Sequence, residues 1–290
     1  MLILRCPAQL QLLEETLRKS LPTTLPVLGT VMTVARGNPA SHEVLVDSWP
    51  HFSIVLTRLR PEDPRDYYTN QLSVFYRDKG ALQALLQGTE AVTQGRAFQI
   101  LGKDTTAGGH RGPLPSIWVP CLGPRFHLWV AKGFPIPSHP LSRLGTGFSI
   151  PHSAMPCCRM PPGLRLASVS PSHVPLLNAT WALGRNARSR AFLLGLVQTL
   201  PSACVLDQRG RPVSWSLLDG QGCLRHGYTV PAWRGRGLTG IPLSMLGRDL
   251  HARGFPVYGA VLPQNTASLR GLQGVGPFWD GWGLRPLWRF

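Results

Sequence analysis

The amino-acid sequence predicts a mixed α/β (α+β) fold divided into two halves. In the first hundred positions, a helical pattern of leucines is followed by apolar and β-branched runs of strand length. A second set of such segments begins near Leu164, where a helix precedes three strands joined by short turns. Between the two sets, residues 102–163 are crowded with glycine and proline, which predicts a linker or irregular insert.

The composition predicts a folded chain. Hydrophobic residues make up 43% of the 290 positions, and nine Trp and ten Phe are present, whereas disordered chains are poor in aromatic residues. No run of about 18 apolar residues occurs, which argues against a membrane-spanning helix. The six cysteines form no paired Cys/His spacing, so we expect no metal site and reduced thiols inside the cell.

The net charge is +16 and is concentrated in one part of the chain. Residues 1–104 carry 11 basic and 10 acidic residues, whereas residues 105–290 carry 19 basic and 4 acidic ones. A field of this sign favours an anionic partner such as a phosphorylated cofactor, a membrane surface or nucleic acid. The arginines are scattered singly, which does not indicate a nucleic-acid-binding tail, and a merely soluble basic surface stays open.

The first half is predicted as a small α/β unit. Residues 8–21 have leucines three or four positions apart, which predicts an amphipathic helix. Val27–Val34, Phe52–Leu59 and Gln71–Tyr76 are apolar, β-branched or aromatic runs, and we expect them to be strands. Ala81–Leu86 is predicted as a short helix.

The second half is predicted as an antiparallel meander flanked by helices. Asp207 and Asp219 each open a short turn of a type that joins neighbouring antiparallel strands. The predicted elements are, in chain order, a helix at Ser189–Leu200, strands at Ala203–Leu206, Pro212–Leu217 and Cys223–Val230, a helix at Leu243–Ala252 and a strand at Pro256–Val261.

A glycine- and arginine-rich loop, Arg234–Gly240, lies between a predicted strand and a predicted helix. Its amides at the start of a helix would form an anion-binding nest, and an ordinary glycine-rich turn is the alternative. The spacing of Gly235, Gly237 and Gly240 also fits the dinucleotide fingerprint G-x-G-x-x-G. That fingerprint requires a parallel βαβ unit and a later acidic residue, and neither is indicated here.

The loop resembles the pyrophosphate loop of the GNAT acyltransferase superfamily, which has the pattern Arg-x-x-Gly-x-[Gly/Ala]. Arg234, Gly237 and Thr239 occupy its defining positions, and Thr239 departs from the usual small residue. Downstream, Asn265 and Ser268 fit the strand and Asn-x-x-Ser segment of that superfamily. The resemblance therefore implies a C-terminal GNAT fold that holds coenzyme A.

Further motifs resemble the glycine N-acyltransferase-like family within this superfamily. They are Gly37-Asn38-Pro39, Val46-Asp47-Ser48-Trp49-Pro50, Tyr67-Tyr68-Thr69-Asn70, Asn186-Ala187-Arg188-Ser189, Pro212-Val213-Ser214-Trp215 and Gly254-Phe255-Pro256-Val257-Tyr258. The resemblance implies an N-terminal α/β, GNAT-like domain at 1–101 and a C-terminal acyl-CoA-binding domain at 164–290 with its core at about 203–275. The insert at 102–163 does not resemble the family.

The resemblance also implies an enzyme that transfers an acyl group from acyl-CoA to glycine or a similar small amino acid. Acyl-CoA is then a cosubstrate, with no permanently bound cofactor. The residues implied to hold it are Arg234, Gly235, Arg236, Gly237, Leu238, Thr239, Asn265 and Ser268. The backbone near Tyr228–Val230, with Tyr228 as one candidate, is expected to donate to the thioester oxygen. The family further implies an intracellular, mitochondrial protein, and we expect a monomer.

The general base of the family has no counterpart at the expected position of this sequence. In a gapless alignment, Cys223 occupies the position where the family has a Glu base. His226 follows three residues later, and strand alternation places it on the opposite face. The alternatives are a slower enzyme with water as base, altered chemistry, or a CoA-binding protein with little turnover. A non-catalytic basic module for CoA or nucleic acid is the second hypothesis, although no nucleic-acid-binding signature is present and we expect no nucleic-acid partner.

Overall fold

A computed structural model describes residues 1–21, 23–59, 71–87, 99–103, 127–131 and 160–259, together with Asn265 and Ser268. The elements of the first half are β1 (Leu2–Leu4), α1 (Pro7–Arg18), α2 (Leu25–Ala35), β2 (His42–Val46), β3 (Ile54–Leu59), β4 (Gln71–Tyr76), α3 (Lys79–Gln87), β5 (Gln99–Lys103) and β6 (His127–Ala131). Those of the second half are β7 (Arg165–Ala167), α4 (Val174–Thr180), α5 (Ala187–Thr199), β8 (Ser202–Leu206), β9 (Pro212–Leu218), β10 (Leu224–Thr229) and α6 (Gly240–Ala252).

The described strands form two sheets, so the predicted α/β (α+β) class is confirmed. The first sheet has the order β1-β2-β3-β4-β5-β6; it is antiparallel as far as β4 and parallel from β4 to β6. The second sheet is an antiparallel meander in the order β10-β9-β8-β7. This meander, followed by the glycine loop and α6, is the order of elements that the resemblance implied.

Each sheet is covered by helices on both faces. Helices α1 and α2 share an apolar core with β2, β3 and β4, and α3 packs on the other face of that sheet. In the second sheet, α4 and α5 cover the face that carries Trp215 and Leu217. Helix α6 covers the opposite face through Leu243, Leu246 and Leu250. Burial of both faces explains why the strands read as almost continuous apolar runs.

The strand predicted at Val27–Val34 is wrong, because these residues belong to α2. Every residue from Leu25 to Thr33 is buried. A helix that is buried on all sides is apolar all round and carries no amphipathic signal. Its threonines fit the helix because Thr30 and Thr33 donate to carbonyls four residues earlier, at 2.9 and 2.8 Å.

The other predicted elements differ from the structure mainly at their ends. Strand β4 has the predicted bounds, and the predicted helix at 8–21 is α1, which ends at Arg18. Strand β6 lies inside the stretch predicted as an irregular insert, of which residues 104–126 and 132–159 fall outside the described residues. In place of the strand predicted at Pro256–Val261, the described part shows a single bridge at Gly259.

None of the described helices is long and apolar enough to cross a bilayer. The same residues contain no group of three or more His, Cys, Asp or Glu side chains placed to hold a metal ion.

Candidate functional site

The glycine loop follows a 3-10 turn at Pro231–Trp233 and leads into α6. Gly235 and Gly237 have φ angles of 74° and 72°, a region that residues with a Cβ rarely adopt. A Cβ built on either glycine would meet no atom within 4 Å, so neither is required for close packing. These glycines set the direction of the loop and leave its surface open to a ligand.

The main chain of this loop presents a row of amide donors. Within the described part of the chain, the amides from Gly235 to Thr239 donate no hydrogen bond. The next amide, that of Gly240, donates to the Gly237 carbonyl at 3.1 Å, where α6 begins. Amides at a helix start, together with the helix dipole, are a binding site for phosphate groups.

Two exposed arginines lie beside these amides on aromatic rings. The Arg234 guanidinium is 5.2 Å from the Tyr228 ring centre, and its Nε donates to the Thr229 carbonyl at 2.9 Å. The Arg236 guanidinium is 4.9 Å from the centre of the Trp233 ring. Stacking on a ring orders a long cationic side chain, so both charges are held next to the loop.

The loop is anchored to the sheet by one apolar side chain and a chain of hydroxyls. Leu238 is 1% exposed and packs with Val205, Val213 and Ile241. The Thr239 hydroxyl lies 2.8 Å from that of Thr229, which in turn lies 2.9 Å from the Ser214 hydroxyl. Thr239, the departure from the usual small residue, therefore ties the loop to β10.

Strand β10 is irregular in its middle. Its pairing with β9 shifts register between Arg225 and Tyr228, and His226 has a φ angle of 55°. On its other edge, the Leu224 amide donates to the Tyr258 carbonyl at 2.9 Å, and a parallel bridge joins Leu224 to Gly259. Bulges of this kind redirect side chains and are common beside active sites.

The ladder geometry shows which β10 amide faces away from β9. The Val230 amide donates to the Val213 carbonyl at 2.9 Å, and Tyr228, two residues earlier, is paired with Trp215. Because hydrogen-bonded pairs alternate along an antiparallel ladder, the Tyr228 amide also faces β9. The Thr229 carbonyl instead accepts from Arg234, so the Thr229 amide points outward. The Tyr228 amide, one candidate thioester donor, therefore faces β9, whereas the Thr229 amide of the same segment faces away from it; the donor itself stays a prediction.

Cys223, at the position of the family's base, lies in a buried polar cluster. It is 2% exposed and packs with Leu25 and Tyr258. Its amide donates to Asp219 Oδ1 at 2.9 Å, and its thiol donates to the Leu224 carbonyl at 3.7 Å. The thiol is thus enclosed by the protein.

His226 lies on a different face of the sheet from the one that strand alternation predicts. Leu224 packs against α6, and regular alternation would place His226 beside it. The bulge instead brings the imidazole to the face covered by α4 and α5, 4.7 Å from the Trp181 ring centre and 5.9 Å from that of Phe192. Burial, aided by the charge of Arg225, lowers the pKa of His226 to about 3, so the ring is neutral at pH 7.

Asn265 and Ser268 are the described residues of the downstream motif. The Asn265 side chain accepts a hydrogen bond from the Ser268 amide at 3.1 Å, which is a helix N-cap arrangement. Asn265 is exposed and Ser268 half-buried. Their contact with a cofactor stays a prediction.

The ion pair between Asp219 and Arg225 was missed by the sequence analysis. Asp219 Oδ2 lies 3.0 Å from Arg225 Nε, and Oδ1 accepts from the amides of Gln221 and Cys223. Burial raises the pKa of Asp219, while Arg225 and the two amides oppose this. A usable signal was present, because Asp219 is one of only four acidic residues after position 104.

Comparison with known proteins agrees with this arrangement. The model of the aralkyl acyl-CoA:amino acid N-acyltransferase family matches residues 1–108, and the model of its C-terminal region matches residues 203–285. Bovine glycine N-acyltransferase is 32% identical over 99% of this chain and 100% of its own length. Bovine glycine N-phenylacetyltransferase is 33% identical over 88% of this chain and 88% of its own length.

A solved Drosophila structure shares the fold. It covers 95% of this chain and 93% of its own length with a TM-score of 0.55 and 15% identity. The meander, the glycine loop and the matched relatives together place the chain in the class of acyltransferase enzymes. It belongs to the aralkyl acyl-CoA:amino acid N-acyltransferase family.

Proposed function

We propose that this chain transfers an acyl group from acyl-CoA to the amine of glycine or a similar small amino acid and releases CoA. The observation that carries the proposal is the row of amides from Gly235 to Thr239 at the start of α6. They suit the diphosphate of CoA, and Arg234 and Arg236 add positive charge beside them. Relatives across nearly the full chain are named glycine N-acyltransferases.

The reaction requires positioning more than covalent catalysis. The neutral amine attacks the thioester carbon, and the carbonyl oxygen takes up negative charge in a tetrahedral intermediate. The intermediate then expels the CoA thiolate, and the amine loses a proton as the amide forms. The Thr229 amide, which points away from β9, would donate to the oxygen where this charge develops.

Proton removal is the step that this sequence weakens. The family resemblance places a Glu base where the chain has the enclosed thiol of Cys223. General-base catalysis typically contributes about 10²–10⁴ in rate. We therefore propose slow transfer in which water accepts the proton from the amine.

The domain division and the cellular setting are part of the same proposal. The N-terminal domain is residues 1–101, the insert is 102–163, and the acyl-CoA-binding domain is 164–290. Acyl-CoA serves as a cosubstrate that is consumed in each cycle. Mitochondrial placement is what the family resemblance implies, and we expect a monomer.

The deciding experiment is a thiol-release assay with benzoyl-CoA and longer acyl-CoAs against a panel of amino acids. The proposal expects CoA release that depends on the amino acid and yields the N-acyl amino acid as product. Binding of acyl-CoA without any acceptor-dependent release would instead indicate a CoA-binding protein with little turnover.

A non-catalytic basic module is the second candidate, and the excess of basic residues after position 104 favours it. Affinity for RNA would then fall steeply with salt, because binding releases counterions from the phosphate backbone. A CoA site would keep its selectivity for CoA over RNA as salt rises. A salt titration with both ligands separates the two functions.

A further inference from the structure

The segment that runs from α4 through its turn into α5, residues 176–190, is called here the α4–α5 tip, and it exposes apolar side chains. Leu183 in the turn is 55% exposed, and Leu176 on α4 is 37% exposed. They are two of only six exposed large hydrophobic side chains among the described residues. Ala179 and Ala182, which lie between them in the chain, are exposed as well. Single exposed leucines are ordinary, whereas apolar groups gathered in one short stretch indicate a contact surface.

Three arginines follow these apolar residues directly. Arg185, Arg188 and Arg190 are all exposed. Six other described arginines form ion pairs with Asp or Glu, whereas these three form none within the described residues. The sequence has no Asp or Glu between Asp104 and Asp207, so no acidic neighbour in the chain offsets their charge. The α4–α5 tip thus combines exposed leucines with three positive charges.

Hydrogen bonds hold the α4–α5 tip in one shape. The Asn178 side chain accepts from the Arg185 amide at 3.1 Å and from the Ser189 hydroxyl at 2.6 Å. The same side chain donates to the Asn186 carbonyl at 3.2 Å. The end of α4 and the start of α5 are therefore clamped together. A surface that is already ordered loses little conformational freedom when it binds a partner.

The placement of the arginines is unfavourable for the isolated protein. Arg188 and Arg190 lie in the first turn of α5, which contains no acidic residue. Positive charge is disfavoured there, because this end of the helix dipole is itself positive. Arg185 has a φ angle of 70°, which residues with a Cβ rarely adopt. Stability of the fold does not explain these choices, whereas an anionic partner outside the protein does.

We propose that the α4–α5 tip docks this protein on an anionic lipid surface. The arginines pair with lipid phosphates, and Leu183 and Leu176 enter the boundary between headgroups and acyl chains. The exposed leucines favour a membrane over nucleic acid, because surfaces that bind nucleic acid are polar and strongly basic. Docking of this kind is peripheral and reversible, and it requires no spanning helix.

The α4–α5 tip adjoins the strand that leads to the glycine loop. The Trp181 ring centre lies 4.7 Å from that of His226 on β10. Docking therefore brings β10 and the glycine loop near the lipid surface. Acyl-CoAs with long chains partition into such a surface, because each buried methylene favours it. This consequence rests on the proposed function, whereas the docking itself does not.

The test is sedimentation of the full chain with vesicles of phosphatidylcholine, alone or mixed with phosphatidylserine. The parent should bind the mixed vesicles and leave the neutral ones. Replacing Arg185, Arg188 and Arg190 together by Gln should weaken this binding on the order of 100-fold, at about 5-fold for each charge. Leu183→Ser should weaken it by about 10-fold and leave the net charge unchanged.

A matched control removes the same charge elsewhere on the surface. Arg165, Arg209 and Arg248 are exposed and form no ion pair within the described residues. Replacing these three by Gln should weaken vesicle binding by less than about 5-fold. An equal loss in both triple variants would overturn the proposal, because net charge would then account for the binding. Binding of RNA or polyglutamate without binding of anionic vesicles would overturn it as well.

Failure of the proposed function would be visible separately. Calorimetry with CoA should give the same Kd for the parent and for the variant that lacks Arg185, Arg188 and Arg190. A chain that binds anionic vesicles through the α4–α5 tip but transfers no acyl group would support docking and refute the transferase. A chain that transfers acyl groups and ignores anionic vesicles would refute docking alone.

Discussion

Cys223 is the residue at which we expect the rate of acyl transfer to be limited. It stands where the family resemblance expects a general base, and it lies against Arg225 and Tyr258 inside the protein. We predict that Cys223→Glu raises the rate of N-acyl transfer, by up to about 10²–10⁴. Arg225 would stabilise the new carboxylate in this buried setting. The measurement is CoA release with glycine at saturating benzoyl-CoA.

Cys223→Gln is the matched control for this gain. It has nearly the same size as Glu and cannot accept a proton from the amine, so it should not accelerate transfer. If Cys223→Glu brings no gain and the parent is already fast, the base lies elsewhere in the protein.

The burial of His42 makes the stability of the folded protein depend on pH. It is 8% exposed and lies against Gly220, and burial lowers its pKa to about 4. The unfolded chain has an ordinary His pKa near 6.5, so it binds a proton before the folded state does. Stability should therefore fall as pH decreases from about 6.5 to 4, by about 3 kcal/mol from this residue.

Urea denaturation at pH 7 and pH 5 measures this effect. His42→Gln should lose less stability than the parent between the two pH values, and the difference isolates His42 from other histidines. The exposed His51, replaced in the same way, is the matched surface control. An equal loss in His42→Gln and the parent would contradict the prediction.

At the scale of elements, the two turns of the meander have the same hydrogen-bond pattern. Asp207 accepts from the amides of Arg209 and Arg211, and Asp219 accepts from those of Gln221 and Cys223. Both aspartates then pair with an arginine. The turns could be predicted from the Asp and Gly spacing, because their hydrogen bonds are local.

Other features could not be predicted, because tertiary packing determines them. A short apolar run such as Val27–Val34 does not distinguish a strand from a helix buried on all sides. The β10 bulge places His226 on an unexpected face, and no local residue pattern signals it. The glycine loop could be predicted because its glycines form a local sequence pattern. The Asp219–Arg225 pair could not, because it depends on how the strand is bent.

The left-handed conformation of Gly237 predicts that adding a methyl group there weakens the binding of CoA. Gly237→Ala forces a Cβ into the left-handed region, which costs about 1–3 kcal/mol. If the loop relaxes to avoid this strain, its amides lose alignment. We expect the Kd of CoA, measured by calorimetry, to rise roughly 5- to 100-fold.

Gly195→Ala is the control for this loop variant. Gly195 lies within α5, and an added Cβ would meet no atom within 4 Å. Alanine should stabilise the helix by about 0.5–1 kcal/mol and leave CoA binding unchanged. If Gly237→Ala binds CoA as tightly as the parent does, the loop amides are not the diphosphate site.

At the scale of the whole molecule, the two halves are joined by specific contacts. Arg18 donates to the Gly254 carbonyl at 2.8 Å, and the Arg36 guanidinium lies 5.0 Å from the centre of the Phe255 ring. Gly29 of α2 lies against the Gln221 carbonyl, which also accepts from the Tyr258 hydroxyl at 2.7 Å. The N-terminal half therefore supports the turn that leads into β10.

This contact predicts that Gly29→Ala uncouples the two halves. A Cβ at Gly29 would lie 1.9 Å from the Gln221 carbonyl oxygen, so the backbone must move. We expect the free energy of unfolding to fall by about 3 kcal/mol. Gly195→Ala again serves as the control, because it adds the same methyl group to a helix with open space around it. Urea denaturation followed by fluorescence measures both variants. If Gly29→Ala loses acyl transfer at urea concentrations where it is still folded, α2 positions Cys223 and Arg225. Unchanged stability of Gly29→Ala would contradict the close contact between the halves.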